Sequence, residues 1–519
     1  MNKTVRNIAV YLPQFYETEY NNEWWGKGFT DWVTVKKAMP LFDNHVQPKI
    51  PCNNNYYDTT NIDTLRFQAE LMKDYSVDGL CFYHYYFKDG KKVLEKPAEL
   101  LLENKDIDIP FCFSWPTENW IRTWSNVQGN IWGEKFDKEL KVEGTGILLE
   151  QNFGGKEEWK AHFEYLLPFF KDKRYIRIEN KPVFIFFNAS QVNCLDKMVE
   201  YWKTLAGEYG LEGLFVIGMG LNYTNENIDA VMYDQPSRAF SQLNKKELRT
   251  VKNGVTCYRY TDFVEEIIAE RQIGKCNTFF CACPGYDTTP RRGNNANCII
   301  DRTPELFEVM LDNLYRKSIE AGSELVFINA WNEWGEGMYL EPDEESGFLY
   351  LESIKRVSEK YKKIKIYKDL ESFDDRDIKK QVTELRFQAN REHYISSNIV
   401  KLLDIVQFGN NQLKKYIEKK GINSIAIYGI GRIGKLLFNQ LRIEGVSIQY
   451  TVDQYTAQIQ NVCKMYRPDE IFPAVDLMVV TSFDCEEVKL KMKKKGILNI
   501  VSIEEFLDDI LSLIHISEP

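Results

Sequence analysis

The sequence predicts an α/β protein with an N-terminal (β/α)8 barrel and a smaller C-terminal domain built on a parallel sheet. Two observations lead to this fold class. Short apolar runs alternate with segments of helical periodicity along the N-terminal two thirds of the chain. A separate pattern of strand, glycine-rich turn and helix then begins near Asn423. The length of 519 residues is compatible with two domains, because such a barrel takes up about 250 residues or more by itself.

Each barrel strand is predicted from an apolar run of the kind that is buried on both faces of a parallel sheet. The eight runs are Ile8–Phe15, Val77–Phe87, Ile109–Trp115, Pro182–Asn188, Leu214–Gly220, Ala230–Gln235, Thr278–Pro284 and Glu324–Trp331. Helices are predicted at Asp63–Tyr75, Glu157–Lys171, Asp196–Glu208, Thr261–Arg271, Pro304–Ala321 and Ser353–Lys362, with a weaker fifth helix near Asn225. Eight strands that each lead into a helix are typical of a TIM barrel, which we assign to residues 1–364.

The rest of the chain is predicted to hold a connector, a second domain and a tail. Residues 365–420 lack barrel-like strands and are assigned to a helical connector. Residues 421–510 are assigned to a Rossmann-like domain of the nucleotide-binding type. Residues 511–519 resemble a translated sequencing adapter, so we interpret them as a non-native tail.

A glycine motif marks the start of the second domain. A strand leads into Gly429, Gly431 and Gly434, a helix follows, and the next strand ends at Asp453. This arrangement places a pyrophosphate at a helix N-terminus, so these four residues are the candidate nucleotide-binding residues. The same glycines are equally compatible with a tight turn that binds nothing. The barrel itself is expected to need no cofactor.

Composition and charge indicate which partners the protein can bind and where in the cell it is expected. The 66 Lys and Arg against 76 Asp and Glu give a net charge of −10, which argues against nucleic acid as a partner. The 11 cysteines are odd in number and scattered, which favours reduced thiols and a cytoplasmic location. Cys281 and Cys283 have no second cysteine pair or histidine cluster, so no metal site is predicted. The sequence has no run of about eighteen apolar residues, so no membrane span is predicted. It does not indicate an oligomeric state.

The predicted strand ends carry polar and aromatic side chains. In a (β/α)8 barrel these ends form one rim, where functional groups gather. Amides and acids suit sugar hydroxyls and aromatic rings suit the apolar sugar face, so the rim predicts a carbohydrate site. The candidate substrate-binding residues at the strand ends are Tyr11, Gln14, His84, Tyr85, Glu118, Asn119, Trp120, Asn188, Asp287, Arg291, Trp331 and Asn332.

Two of these regions have a structural alternative. Trp120 and Trp124 lie beside Arg122, and the cluster either stacks on sugar or covers the barrel mouth as a packed loop. Arg291 either binds an acidic group or forms an ion pair with Asp287 that rigidifies its loop.

The candidate catalytic residues are two acids that follow the eighth strand. Glu333 and Glu336 are three residues apart between tryptophans and glycines. If the chain turns helically there, the side chains approach to about 5–6 Å. A carboxyl pair at such a separation suits acid/base chemistry at a glycosidic bond, because one acid stays protonated beside its ionised neighbour. The alternative is a pair of solvated loop charges.

A series of short motifs follows in order along the N-terminal two thirds of the chain. They are Ala9–Tyr16 with Trp24, Gly28–Trp32, Glu118–Trp120, Leu167–Phe170, Asn180–Val183, Thr289–Arg291, Trp331–Gly337 and Leu340–Asp343. Together they resemble the WbsX-like family, which is similar to glycoside hydrolase family 99 and is associated with bacterial lipopolysaccharide, O-antigen and capsule gene sets. The Gly28–Trp32 motif adds Trp32 to the candidate substrate-binding residues.

The resemblance also implies roles for the two acids. The hydrolase relatives are retaining endo-α-mannosidases with a (β/α)8 fold, and their motif resembles Asn332–Gly337. The resemblance implies that Glu333 is the base that draws a proton from the sugar 2-hydroxyl, giving an anhydro-sugar intermediate. It implies that Glu336 is the general acid/base at the glycosidic oxygen. Here Gly335 stands where those hydrolases tend to have His, and Met338 replaces a small polar residue.

These observations predict a carbohydrate-active enzyme of bacterial surface-polysaccharide biosynthesis, either a glycosyltransferase or a glycoside hydrolase. The expected partner is an oligosaccharide or polysaccharide, and peripheral association with a lipid-linked glycan is compatible with this role. A first alternative is a non-catalytic glycan-binding or scaffold protein. A second is an NAD-dependent oxidoreductase, which would rest on the glycine motif of the C-terminal domain.

Overall fold

The computed structural model describes residues 4–121, 147–362, 375–409, 411–454 and 463–516. The chain divides into two compact units, Met1–Thr383 and Glu384–Pro519. The division falls inside the helix Asp375–Gln407. The domain boundaries expected from the sequence stay predictions.

The first unit contains a closed barrel of eight parallel strands. They are β1 (Arg6–Tyr11), β2 (Gly79–Tyr83), β3 (Phe111–Pro116), β4 (Lys181–Phe187), β5 (Phe215–Met219), β6 (Ala230–Met232), β7 (Thr278–Phe279 and Cys281–Ala282) and β8 (Leu325–Ile328). Each strand pairs in parallel with the next along the chain, and β8 pairs with β1. β7 is interrupted at Phe280, so that its first half pairs with β6 and its second half with β8. The predicted (β/α)8 barrel is confirmed.

Helices and short strands surround the barrel. The helices are Glu19–Trp25, Asp31–Lys37, Ile62–Asp74, Lys96–Glu103, Lys156–Phe170, Leu195–Glu208, Ser237–Lys245, Tyr260–Ala269, Thr289–Arg292, Pro304–Glu320 and Leu349–Tyr361. The 3-10 turns are Cys52–Asn54, Lys88–Gly90, Ala189–Gln191, Gly293–Asn295 and Trp334–Glu336. The further strands are Tyr85–Tyr86, Lys92–Val93, Trp120–Ile121, Ile147–Leu149, Arg177–Ile178, Thr250–Lys252, Val255–Arg259, Asn297–Ile300, Asn332–Glu333 and Met338–Tyr339.

The expected fifth helix does not form. Residues 220–229, which connect β5 to β6, are a loop. The Oδ1 atom of Asn225 accepts hydrogen bonds from the backbone N–H groups of Asn227 and Ile228, both at 2.8 Å. Asparagine side chains compete in this way with helical hydrogen bonds, which explains the departure from the prediction.

The cysteines form no disulfide, and most of them lie in the core. Their redox state stays a prediction. All 11 cysteines are unpaired, and Cys81, Cys112, Cys281 and Cys283 are buried. Among the described residues, no helix has both the length and the apolar character that crossing a membrane requires.

The second unit contains a five-stranded parallel sheet. Its strands, in spatial order, are Lys464–Tyr466, Ile448–Val452, Ile425–Tyr428, Leu477–Val480 and Ile500–Ser502. The helices are Asp375–Gln407, which begins before the division between the units, and Gln412–Lys419, Arg432–Ile443, Cys485–Lys493 and Ile503–Ile516. The order of the strands, with the first in the centre and the chain reversing direction beside it, confirms the Rossmann-like fold.

The sequence identified as an adapter-derived tail begins inside the last helix. Leu511 and Ile514 pack at the edge of the apolar core of this unit. Residues 517–519 lie outside the described residues. The non-native origin of the tail stays a prediction.

The glycine motif has different packing at each of its positions. Gly429 has a φ of 91°, which favours glycine. A Cβ atom on Gly434 would lie 2.0 Å from the carbonyl oxygen of Gly429, whereas one on Gly431 would meet no atom within 4 Å. Gly434 is therefore required by packing and Gly431 is not.

Glu341 joins the segment after β8 to its neighbours. Its Oε1 atom accepts hydrogen bonds from Gln68 Nε2 (2.8 Å) and the Trp331 indole (2.9 Å). Its Oε2 atom accepts from the Tyr57 hydroxyl (2.7 Å) and the Trp334 indole (2.7 Å). Burial raises the pKa of Glu341 to about 7, and these donors oppose the increase. The buried carboxyl thus fixes the two tryptophans on either side of the candidate acid Glu333.

Substitution of Glu341 tests this role. An amide has one acceptor and one donor group, so in Glu341→Gln one of the two indole N–H groups faces another donor whichever way the amide turns. We expect the free energy of unfolding at pH 8, measured by urea denaturation, to fall by about 1–3 kcal/mol. Glu320→Gln, at the exposed end of the helix Pro304–Glu320, is the control and is expected to change nothing. Equal midpoints for the two variants would contradict the role of Glu341.

Substitution of the glycines tests the packing of the second unit. In Gly434→Ala the methyl group meets the Gly429 carbonyl, and we expect a loss of about 1–3 kcal/mol in the stability of this unit. Gly431→Ala, the matched control, should cost a few tenths of that. Hydrogen exchange of peptides from Ile425–Tyr428 measures both. Similar protection in the two variants would show that the close approach at Gly434 does not constrain the fold.

Candidate active site

The carboxyl ends of the barrel strands open into a cavity of about 640 Å³. Its walls include eight of the residues predicted from the sequence, namely Gln14, Tyr85, Glu118, Asn119, Trp120, Arg291, Glu333 and Glu336. They also include Asp234, Gln235 and Tyr286 from the predicted strand ends, and Tyr83, Arg292 and Asn329, which the prediction did not assign to substrate. The cavity volume is in the range of ligand-binding pockets.

A short hairpin carries the two candidate catalytic acids. The strand Asn332–Glu333 pairs with Met338–Tyr339, and the 3-10 turn Trp334–Glu336 connects them. Gly337, with a φ of 57°, ends this turn, and a Cβ atom there would lie 2.8 Å from Asp287 Cβ. The turn places the Glu333 and Glu336 side chains at its two ends, and both reach the same arginine.

Arg291 is the cation that joins the acids. Its Nη1 donates to Glu336 Oε1 at 2.6 Å, and its Nη2 donates to Glu333 Oε2 at 3.1 Å. Nε and Nη2 also donate to Asp31 Oδ1, at 3.2 and 3.1 Å. The alternative of an ion pair between Arg291 and Asp287 is therefore wrong, because three other carboxylates hold this guanidinium.

Asp31 is a residue of the site that the sequence prediction missed. It begins the helix Asp31–Lys37, where an acid is ordinarily interpreted as a helix-stabilising charge. In the structure it is fully buried, and its Oδ2 accepts the backbone N–H of Gly335 at 3.0 Å. The available signal was its position beside Trp32 within the Gly28–Trp32 motif.

The acids differ in their surroundings. The Glu333 side chain is 7% exposed and that of Glu336 is 25% exposed. Burial raises the pKa of Glu333 to about 8, the Arg291 guanidinium opposes the increase, and the Glu336 and Asp31 carboxylates add to it. Burial therefore favours the protonated form of Glu333 in the ligand-free protein.

Aromatic residues form much of the wall around the acids. Burial, with the nearby Glu333 carboxyl, raises the pKa values of the Tyr83 and Tyr85 phenols, so both stay neutral hydrogen-bonding groups. The Tyr85 ring packs edge-on to Trp120, with centroids 5.1 Å apart. The other members of the predicted tryptophan cluster, Arg122 and Trp124, lie outside the described residues.

Seven predicted substrate-binding residues do not line the cavity. They lie beside it and bind other parts of the chain, and their contacts with substrate stay predictions. These residues are Tyr11, Trp32, His84, Asn188, Asp287, Trp331 and Asn332.

Four of these seven residues hold the chain near β1 and β8. The Tyr11 hydroxyl lies 3.1 Å from Gln68 Oε1, and the Trp32 indole donates to the Tyr57 carbonyl at 2.7 Å. Asn332 Oδ1 accepts the Leu12 N–H at 2.7 Å, and its amide donates to the Leu12 carbonyl at 2.9 Å. Trp331 binds Glu341 as described above. These contacts fix the backbone from which the candidate acids project.

His84 and Asn188 each pair with one side chain. His84 Nε2 lies 2.8 Å from His162 Nε2, and burial lowers the pKa of His84 to about 3, so its ring is neutral. Asn188 donates to Glu118, which itself lines the cavity.

Asp287 belongs to a buried group with His45 and Cys298 that has the composition of a metal site. His45 Nδ1 accepts the Leu41 N–H at 3.0 Å, so its Nε2 carries the proton and donates to Asp287 Oδ2 at 2.9 Å. Gln47 Nε2 donates to the same oxygen at 2.7 Å. With both ring nitrogens of His45 engaged, this donor set does not suit a metal ion.

The predicted nucleotide-binding residues come together in the second unit. Gly431 precedes the helix Arg432–Ile443, and a Cβ atom on it would meet no atom within 4 Å. Asp453 Oδ2, however, accepts the Ile430 N–H at 2.6 Å, so the acid predicted to bind a nucleotide already supports the glycine turn. Nucleotide binding at this turn stays a prediction.

The chain is similar in sequence to two curated proteins. Two curated relatives are both named uncharacterized protein WxcX, from Xanthomonas campestris pv. campestris strains B100 and ATCC 33913, with 25% identity over 359 residues and 26% over 366. Each alignment covers 67% of this chain and 49% of the relative, so the chain spans about half the length of the curated relatives it matches.

Two solved structures match 69% of this chain at low sequence identity. One is a glycoside hydrolase-like protein, with 13% identity and a TM-score of 0.44, over 69% of this chain and 94% of that one. Another is the GH99 endo-alpha-mannosidase from Bacteroides thetaiotaomicron, with 14% identity and a TM-score of 0.42, over 69% and 98%.

A family model covers most of the barrel. The model described as glycosyltransferase WbsX matches residues 7–354, which is more than half of the chain. The chain therefore belongs to the WbsX glycosyltransferase family.

Proposed function

We propose that the barrel is a carbohydrate-active enzyme of bacterial surface-polysaccharide biosynthesis that acts on glycosidic bonds. The observation that carries the proposal is the position of Glu333 and Glu336 on one guanidinium at the wall of a cavity of about 640 Å³. Neutral tyrosines, amides and Trp120 line the same cavity and suit an oligosaccharide or polysaccharide. Membership of a family described as glycosyltransferases supports this chemistry.

The proposed reaction uses the two acids in turn. The ionised Glu333 takes the proton of the sugar 2-hydroxyl, and that oxygen attacks the anomeric carbon to form an anhydro sugar. The glycosidic bond breaks as Glu336 gives its proton to the leaving oxygen. An acceptor hydroxyl then attacks the anomeric carbon and gives its proton to Glu336, while the 2-oxygen recovers its proton from Glu333. Configuration is retained, because the carbon is inverted twice.

The reaction is hydrolysis if the acceptor is water and transfer if it is a sugar hydroxyl. Both run through the same acid/base steps. Transfer agrees with the description of the family, so we propose transfer to a growing or lipid-linked glycan as the biological reaction.

Substitution of either acid tests the assignment. Glu333→Gln and Glu336→Gln are expected to lower kcat at least about 100-fold, because each removes a proton-transfer group. The measurement is release or transfer of sugar from α-linked oligosaccharides and bacterial surface glycans. Glu359→Gln, on an exposed helix position, is the control and should retain full activity. Turnover unaffected by both active-site changes would disprove the mechanism, and glycan binding without turnover in the unaltered protein would favour a glycan-binding protein instead.

The pH dependence tests the role of Glu333. Burial raises the pKa of Glu333 to about 8, and a base must be ionised to act. Because Glu336 must be protonated at the same time, the active pair of acids carries one proton, and we expect kcat/KM, which reports the free enzyme, to fall about tenfold per pH unit above that pKa, where the pair loses it. A value of kcat/KM that stays level or rises above pH 8 would contradict a mechanism that needs a proton on Glu336.

We propose nucleotide binding by the second unit as a separate property. It rests on the open approach at Gly431 and the Rossmann-like strand order. A dinucleotide or nucleotide sugar should then raise the melting temperature of the protein, and Gly431→Asp should abolish that increase by repelling phosphate. Stabilisation by NAD alone would revive the oxidoreductase hypothesis. No increase with either ligand would leave the glycines a structural turn.

A further inference from the structure

The Asp31 carboxylate lies behind the candidate catalytic acids and does not line the cavity. We propose that Asp31 is a positioning residue: it holds the Arg291 guanidinium against both Glu333 and Glu336 and thereby sets which of the two carries the shared proton. This inference rests on the proposed function of the two acids. It concerns their charge in the free enzyme, which can be measured without any substrate.

The two oxygens of the Asp31 carboxylate bind Arg291 and the backbone of Gly335, respectively. Oδ1 accepts both Nε (3.2 Å) and Nη2 (3.1 Å) of Arg291. Oδ2 accepts the N–H of Gly335 (3.0 Å), which lies between the two acids in the chain. The carboxylate is fully buried, so it ties the guanidinium to the turn that carries the acids. We call Asp31 and Arg291 together the clamp.

The clamp occupies the space of a side chain at position 335. A Cβ atom on Gly335 would lie 2.6 Å from Arg291 Nε and 2.6 Å from Asp31 Oδ2. Real Cβ contacts are not this short, so the clamp and a side chain at this position exclude one another. This is a physical reason for glycine at position 335 of this chain.

The charges around Glu333 explain how the position of Arg291 affects the protonation of Glu333. Arg291 is the cation that faces Glu333, while Glu336 and Asp31 face it with negative charge. The phenols of Tyr83, Tyr85 and Tyr286 also face it and are neutral, because burial raises their pKa values. One guanidinium cannot neutralise three carboxylates in a buried site, so the group retains a proton. A guanidinium that moves away from Glu333 would make Glu333 hold that proton more tightly.

Two substitutions release Arg291 by different routes. Asp31→Ala removes the carboxylate, and Gly335→Ala places a methyl group where the clamp lies. If Asp31 acts by position, both move the falling limb of kcat/KM to higher pH. Each pH unit by which Glu333 then holds the shared proton more tightly lowers kcat/KM below the limb about tenfold, because fewer molecules carry that proton on Glu336. If Asp31 acts only as a negative charge, its removal moves the limb to lower pH. Movement to lower pH in Asp31→Ala, or an unchanged limb, would overturn the proposal.

Infrared difference spectroscopy of the free protein provides a measurement that does not require turnover. The protonated carboxyl of Glu333 is identified by its absence in Glu333→Gln, and its titration should move to higher pH in Asp31→Ala and Gly335→Ala. If the titration moves as expected but no glycan reacts, the positioning role of Asp31 is supported and the proposed function is wrong. If the titration does not move, the positioning role of Asp31 is wrong, whatever the activity.

Asp172→Asn is the matched control. Asp172 is a buried aspartate that binds Arg174 through both oxygens, at 3.1 and 2.9 Å, and it does not line the cavity. Its substitution also breaks a buried ion pair but should leave the limb and the Glu333 titration in place. If Asp31→Ala does not fold, Asp31→Asn, which keeps the shape and weakens the hold, should move the limb less and in the same direction.

Discussion

Three carboxylates and one guanidinium are buried together at the carboxyl end of the barrel, and the geometry of the candidate site depends on their balance. Burying an unpaired charge costs several kcal/mol, so each of these groups needs its partners in place. Asp31 follows β1, Arg291 follows β7 and Glu333 follows β8. Closure of the barrel brings β1 beside β8, and β7 pairs with β8 on the other side. The site is thus a consequence of a closed sheet rather than of any single loop.

A second buried acid supports this arrangement from behind. Two of the four hydrogen bonds to Glu341 hold Trp331 and Trp334, and Asn332 binds the backbone of Leu12. Much of the aromatic content near the rim therefore positions the acids instead of lining the cavity. The walls that face a ligand are formed by other rings, including Tyr83, Tyr286 and Trp120. Rigid support of this kind is what acid/base groups need to keep a productive geometry.

The glycine motif of the second unit illustrates how one pattern serves two purposes. Gly434 is needed by the backbone of its own turn, since a methyl group there would collide with the Gly429 carbonyl. Gly431 has no such constraint, and Asp453 already accepts a hydrogen bond from the turn. A residue that matches a nucleotide-binding motif can therefore be needed for the fold, as Gly434 is, or be a candidate for binding, as Gly431 is. The packing around each glycine distinguishes the two roles.

The sequence by itself determined the eight barrel strands, most of their helices, the Rossmann-like sheet and the proximity of Glu333 and Glu336 on one turn. These features depend on residues that are neighbours in the chain, so periodicity and spacing reveal them. Tertiary structure alone decided that Arg291 binds Asp31 and the two acids and not Asp287, and that Trp331, Asn332 and His84 are buried beside the cavity. It also decided that Glu333 is buried, which raises its pKa. These properties depend on burial and on charges that are far apart in sequence, such as Asp31 and Arg291, which no local pattern contains.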